Sequence, residues 1–477
     1  MTPADRLASC KRYLPWVVAT VMFMETLDAT IVNTAIPAMA ASLQVQPLSL
    51  KAVVASYILS LAVFIPISGW MADRHGTRTV FFTAVGVFTS ASVLCGLSVN
   101  APMLVAARLL QGIGGAMMMP VGRLTIVRTF SKAELLAAMN FVVMPALVGP
   151  LLGPTVGGFI VHVVSWRYIF FVNVPVGLVA LLLIWRYLPD YRAQRARPLD
   201  VVGFVLFGSG VALISWLLEI FGEHRLDVTS ASILWVVGLG LLAAYGVHAP
   251  RTPYPLLRLA LFRLRTFRIA VVGGFLTRIG MGGMPFLLPL LYQLGFGLPA
   301  WHSGLLMMPT AAAAMTMKAA TKKILEVLGY RHVLTVNTVL IGGAISLYSL
   351  LTPATPTIMI VLLGLALGFF NSMQFSAMNT LAYADVEGPE TSTASTLASS
   401  MQQLSMSFGL AAASLVAGWF LDGLPQTDHA LVTSALHRAF LVLAAVTVAS
   451  SISFWRLQPG DGAAVTGGRQ KLVEESA

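Results

Sequence analysis

Glu25 and Asp28 stand three residues apart inside a long apolar run, a spacing that puts both carboxylates on one face of a helix. Of the 19 acidic residues, only these two lie deep in such a run; Glu219 sits near the end of another. Desolvation and a like-charged neighbour both favour the protonated form of a carboxylic acid. Such a pair holds a proton in a dry state and gives it up in a wetter one or on meeting a cation. That is the chemistry of proton exchange. Asp28 is the expected coupling site, with Glu25 beside it. Arg108 and Arg278 lie inside two other apolar runs, where a guanidinium needs a partner or a wet cavity. Each could neutralise a carboxylate or bind an anionic group of a substrate. Arg123, nearer the end of its run, reads as a snorkelling side chain.

Uncharged polar residues in the same runs complete a candidate cavity: Tyr57, Gln111, Asn371, Gln374, Gln402 and Gln403. Amides facing lipid would go unsatisfied, so an inward orientation is expected. Met117, Met281, Met284 and Met307 are soft enough to line such a cavity, although packing is the commoner use of methionine. No metal site is expected, because Cys10 and Cys95 are far apart and no Cys/His ligand spacing exists.

The elements that must hold these residues follow from composition. The chain has 477 residues, 57% hydrophobic and 10% charged, against about 45–50% and about 25% in a soluble domain. That is too little charge to cover a water-facing surface. An all-α polytopic membrane protein is the expected class. Apolar runs of about 20 residues, enough to cross the hydrocarbon, give fourteen spans from 14–36 to 435–455. The N-terminus resembles the basic region of a signal peptide, but its run is too long and lacks a small-residue cleavage site, so a retained first span is expected. With both termini cytoplasmic, 23 of the 30 Lys and Arg residues fall on inner segments, four on outer ones and three inside spans. This is the asymmetry of the positive-inside rule. The net charge of +11 is therefore a topology signal. Nucleic acid is not an expected partner, since no basic soluble domain is present to bind it.

A weak internal repeat orders the spans. At an offset of 253, Asp73 meets Glu326, Gly76 meets Gly329 and Arg78 meets Arg331, while Glu25 falls opposite Arg278. Two six-helix bundles with two extra central spans are expected. Residues 1–188 form the N-terminal bundle and 189–268 the inserted pair with basic inner loops; 269–455 form the C-terminal bundle and 456–477 a cytoplasmic tail.

Several motifs sit on these spans. The loop GWMADRHGTR (69–78) reads as a tight inner turn, with Gly69 and Gly76 allowing close approach and Asp73, Arg74 and Arg78 supplying charge. LVAARLLQGIGGAMMMP (104–120) carries Arg108 and Gln111. In GPLLGPTVGG (149–158), Gly149, Gly153 and Gly157 are four apart and make one flat face, with Gly158 and Pro154 beside it. Together these resemble the signature loop, buried-arginine motif and antiporter motif of the major facilitator superfamily. ETLDATIVNTAIP (25–37) is similar to the mark of its fourteen-span drug:proton antiporters, the EmrB/QacA subfamily. PVGRLT (120–125), RIGMGGMPF (278–286) and SAMNTL (376–381) resemble the MdtD-type exporters within it. The chain departs from that pattern at Glu25, where members of the family commonly carry an uncharged residue. The resemblance implies a conformational latch at Gly69, Asp73, Arg74, Gly76 and Arg78, and a pliable seam along the glycines of span 5.

The expected function is proton-coupled antiport that exports small amphipathic or cationic compounds by alternating access. The alternative is export of organic anions or metal chelates, motivated by Arg108 and Arg278. A non-transporting sensor would need neither deep carboxylates nor a latch. Enzymatic activity is not expected: no histidine lies mid-span, and no P-loop or G-x-S-x-G elbow is present. No cofactor is expected, and without a nucleotide site an ion gradient must drive transport. The expected partners are a small-molecule substrate, protons and the bilayer of the inner membrane. A single chain is expected to carry substrate, with recruitment of a periplasmic adaptor left open.

Overall fold

The computed structural model describes residues 3–193, 198–221, 228–386, 390–422, 424–425, 428–458 and 460–462. Among them the chain is helical throughout. Eleven helices are long and apolar enough to cross a membrane, and Val148–Val163 and Val201–Leu217 are shorter apolar ones. Each of the fourteen predicted runs falls in helical backbone. By compactness the chain divides into two units, Met1–Ala212 with Pro299–Gly304, and Leu213–Leu298 with Leu305–Ala477.

Unit 1 contains α1 (Pro3–Leu43), α2 (Lys51–His75), α3 (Thr77–Gly96), α4 (Ala101–Thr129), α5 (Lys132–Val163), α6 (Tyr168–Phe171) and α7 (Asn173–Tyr187). Helix α1 lies along α5, and the reason is small side chains. A methyl added at Gly149 would reach the backbone of Leu27, and one at Gly157 would meet Ile31 O and Thr34. Gly153 faces Thr30 in the same way. Thr30 Oγ1 also donates to Gly149 O at 3.4 Å. Gly158 faces Ala300 instead, and Thr155 Oγ1, next to Pro154, donates to Gly304 O at 3.3 Å. The charged end of this helix pair is closed by Lys11, whose ammonium donates to both oxygens of Glu134, at 2.7 and 3.0 Å. Glu134 also completes a capping box with Ser131 at the start of α5. The Lys11 hydrogen bond, with those from Ser131, lowers the Glu134 carboxyl from 4.5 to about 2.

Helices α8 (Val201–Phe221) and α9 (Val228–His248) follow, and the division between the two units falls within α8. Asp200 accepts from Gly203 N at 2.8 Å and starts α8. The side chain of Glu219 lies outside the described residues.

Unit 2 continues through α10 (Arg265–Arg268), α11 (Gly274–Met281), α12 (Met284–Leu290), α13 (Ala300–Leu347, its start up to Gly304 belonging to unit 1), α14 (Thr357–Ala382), α15 (Thr391–Leu421) and α16 (His429–Ser450). Two differences from the sequence expectation stand out. The run at 269–291, read as one regular span, has a π-turn at Ile269–Gly273 and a break at Gly282 and Gly283, and a second π-turn follows at Leu291–Gly295. Pro285 and Pro289 remove two backbone donors there. A methyl at Gly283 would overlap Ala413, and the backbone of residues 278–282 lies against Gly409 of α15. The runs at 303–320 and 333–351 lie in two helices that follow one another directly, α13 being broken by a kink at Gly329, where φ is +70° and the backbone is not helical.

Candidate functional site

Asp28 is fully buried in unit 1 and is the centre of a closed polar cluster. Its Oδ2 accepts from Arg108 Nη1 at 2.5 Å. Its Oδ1 accepts from Gln111 Nε2 at 2.9 Å and from Asn173 Nδ2 at 2.7 Å. Both amides also donate to Ser92 Oγ, at 3.2 and 2.9 Å, and Ser92 passes its own proton to Phe170 O at 3.0 Å. Three helices therefore meet on one carboxylate, α1 with Asp28, α4 with Arg108 and Gln111, and α7 with Asn173, and α3 joins them through Ser92. Arg108 is held further by Gln111 Oε1 at 2.7 Å and by Val53 O at 3.3 Å. Its guanidinium lies 4.3 Å from the centroid of the Tyr57 ring. A buried ion pair of this kind is stable only when its remaining lone pairs and protons are met, and here both Asp28 oxygens and the Arg108 Nε and Nη1 are hydrogen-bonded.

Glu25, one turn earlier on α1, is also buried but differently treated. Its Oε2 has no hydrogen-bond partner, and neither does the Tyr57 hydroxyl. Arg123 is the cation and Asp28 the anion whose charges act on it. The two carboxylates that sequence places on one face thus divide into a clamped one and an unclamped one.

In unit 2, Arg278 is 5% exposed and lies 5.4 Å from the Phe375 ring centroid, and its Nε has no hydrogen-bond partner. Gln374 is fully buried, donating to Thr338 Oγ1 at 2.8 Å and accepting from Asn337 Nδ2 at 2.9 Å. Asn371 is half-buried with an unpaired Oδ1, and Gln402 and Gln403 are half-buried. Met117, Met284 and Met307 are buried, while Met281 is partly exposed.

The signature loop is closed within unit 1. Asp73 Oδ1 accepts from Arg128 Nη2 at 2.6 Å. Arg78 donates through its guanidinium to Trp185 O and through its backbone to Asp190 Oδ1. Arg74 lies over Trp70 at 5.9 Å. Gly76, at φ +94°, makes the turn, and the segment Pro189–Ala193 is tied onto it through Thr77 and Asp73. Gly69 sits inside α2 with nothing within 4 Å of an added methyl, so the close approach expected there falls to Gly76 alone.

Ser92, Asn173, Arg128, Asn337 and Thr338 are absent from the sequence reading. For Asn173 a signal existed: it is the one amide in the run YIFFVNVPVG (168–177).

Residues 18–410 match the family model of the Major Facilitator Superfamily. The "Putative multidrug resistance protein MdtD" of Pectobacterium atrosepticum is 41% identical over 432 residues, covering 90% of this chain and 91% of that protein. Its namesake in Serratia proteamaculans is 40% identical over 450 residues, covering 94% and 93%. Among solved structures, a D-xylose–proton symporter is similar with a TM-score of 0.68 at 14% identity, over 94% of this chain and 98% of that one. The nucleoside transporter NupG gives 0.65 at 14% identity, over 92% and 98%.

Proposed function

The chain belongs to the major facilitator superfamily, and on that premise we propose that it is a proton-driven antiporter exporting small amphipathic or cationic compounds by alternating access. It is a multi-pass inner-membrane protein of the secondary-transporter class. The similar proteins named for multidrug resistance support a drug-like cargo.

The observation that carries proton coupling is the contrast between the two carboxylates of α1. Asp28 holds Arg108, Gln111 and Asn173, and with them helices α1, α4 and α7, through its charge. Protonating it would cancel that charge and release the guanidinium, turning a proton into a change of helix packing. Glu25 lies one turn away with an unpaired oxygen, placed to receive the proton first and to face a cationic cargo. Arg108 and Gln111 are then parts of the coupling device as much as of a cavity wall. The seam of Gly149, Gly153 and Gly157 lets α1 slide on α5 as the pair rearranges. Asp73, Arg74 and Arg78, with Gly69 and Gly76, act as the conformational latch, and Arg128 is the partner of Asp73. Fourteen spans with both termini cytoplasmic, two bundles and an inserted pair complete it.

The test is substrate-driven proton flux in proteoliposomes under an imposed pH gradient. Asp28→Asn is expected to abolish flux, and Glu25→Gln to reduce it by about a hundredfold or more, the range of a lost positioned acid or base. Full flux in the Asp28→Asn variant would sink the coupling role. A second reading, export of organic anions or metal chelates, is supported by Arg278, a buried guanidinium with no ion-pair partner among the described residues. A panel of cationic and anionic cargoes in the same vesicles decides between them.

A further inference from the structure

The second-half loop KKILEVLGYR (322–331) opens onto a groove of about 590 Å3 between the part of α13 beyond Gly329 and α14. His332, Val336 and Leu340 form one wall, four residues apart on a single helix stripe, and Phe370 and Met373 form the other. Eight residues of helix rise about 12 Å, most of the roughly 15 Å that half of a bilayer's hydrocarbon offers. Both flanking helices are apolar enough to span a membrane. On the α13 wall His332, Val336 and Leu340 are exposed, Val336 at 55%, and Val327 at the mouth is 74% exposed, while Met373 on the other wall is buried. Asn337, in the floor, spends its amide protons on Phe370 O at 2.8 Å and Gln374 Oε1 at 2.9 Å.

Charge gathers at one end only. Lys322, Lys323 and Arg331 stand there against one carboxylate, Glu326, which lies 3.8 Å from Lys322. Lys323 is one helical turn before Val327, and Arg331 adjoins His332; both cations are exposed. Neither has an ion-pair partner among the described residues. The matching loop of the first half differs: Arg78 is bound to Trp185 O, Arg74 lies over Trp70, and Asp73 is answered by Arg128.

We propose that this groove binds an anionic phospholipid, with its phosphate on Lys323 and Arg331 and an acyl chain along Val336 and Leu340. The apolar walls fit any lipid tail, and the two unanswered cations select the sign of the head. A zwitterionic lipid would fill the groove but gain little from the cations.

The test uses the full chain in detergent, with dioleoylphosphatidylglycerol or dioleoylphosphatidylcholine added and retention read by native mass spectrometry. The phosphatidylglycerol adduct is expected to persist about tenfold or more over the phosphatidylcholine adduct, since each basic residue adds measurably to attraction for anionic lipid. The double variant K323Q/R331Q should bring phosphatidylglycerol down to the phosphatidylcholine level. Val336→Trp, which fills the wall, should lower retention of both. All three positions are exposed, and an unchanged melting temperature checks folding. Equal retention of the two lipids by the unmodified chain would overturn the proposal. So would a preference that survives K323Q/R331Q, or full retention in Val336→Trp. Displacement of phosphatidylglycerol by the cation tetraphenylphosphonium, undiminished in Val336→Trp, would mark a cargo site instead and overturn it as well.

Discussion

Arg108 and Asp28 each have a reason to be buried only because of the other. Removing one leaves a charge in a dry cluster without compensation, which in buried pairs costs about 3–5 kcal/mol. Arg108→Gln is therefore expected to lower the unfolding free energy in detergent by about that amount. The double variant Asp28→Asn with Arg108→Gln removes both charges and should recover most of the loss, as read by thermal unfolding. A double variant no more stable than Arg108→Gln would mean that the pair is not what holds the site. At this scale the charges were legible, because a carboxylate or guanidinium deep in an apolar run has few explanations. Their pairing was not. Which residue Asp28 meets depends on how α1, α4 and α7 are rotated about their axes, and one chain's hydropathy carries no phase for helices buried on most sides. Asn173 and Ser92 were missed for the same reason. An amide or a hydroxyl is cheap enough in a helix that its presence alone does not announce a partner.

Helices in this protein are positioned by where small residues allow backbones to meet, and the glycines are not equivalent. Gly157 faces Ile31 O and Thr34 across the α1–α5 seam, whereas Gly69 has open space around it. Gly157→Ala should cost about 1–3 kcal/mol, the range of an overpacked contact. Gly69→Ala, in regular helix, should leave stability unchanged or raise it by up to about 1 kcal/mol. Melting curves of the two variants check both signs, and a Gly157→Ala protein as stable as the parent would refute the seam as a tight contact. The charged end of the same helix pair makes a prediction about pH. The folded Glu134 carboxyl sits at about 2, below its ordinary 4.5. Its tie to Lys11 is thus complete above pH 4.5 and is lost only as pH falls toward 2. A carboxyl carbon-13 titration of Glu134 should show that midpoint, and Lys11→Gln should move it back toward 4.5. Element positions were readable from apolarity, and the capping pair Ser131 and Glu134 is a sequence-level start signal. The interruptions of 269–291 were not read, although Gly282, Gly283, Pro285 and Pro289 are plain in the sequence. Averaged hydropathy sees an apolar run and is blind to whether its hydrogen bonds skip four residues or five.

For the whole molecule, the distribution of charge argues more than its amount. Among the described residues eleven helices meet span length and apolarity and two apolar helices are shorter, so helix length alone leaves the number of crossings to be settled by the loops. The 23 basic residues on alternate connections and four on the others supply that argument. It leads to a test by single cysteines in a chain freed of Cys10 and Cys95. Val99→Cys and Ala354→Cys, both exposed on predicted outer loops, should react with a membrane-impermeant maleimide in intact cells. Arg74→Cys and Lys323→Cys should react only after permeabilisation. Arg12→Cys and Arg456→Cys carry the parity of the count, because an even number of spans puts both on the inner side. Labelling of one from outside and the other from inside would make the count odd and end the fourteen-span reading. Labelling of both from outside would instead invert the chain, and the basic loops would then lie on the face where the positive-inside rule forbids them.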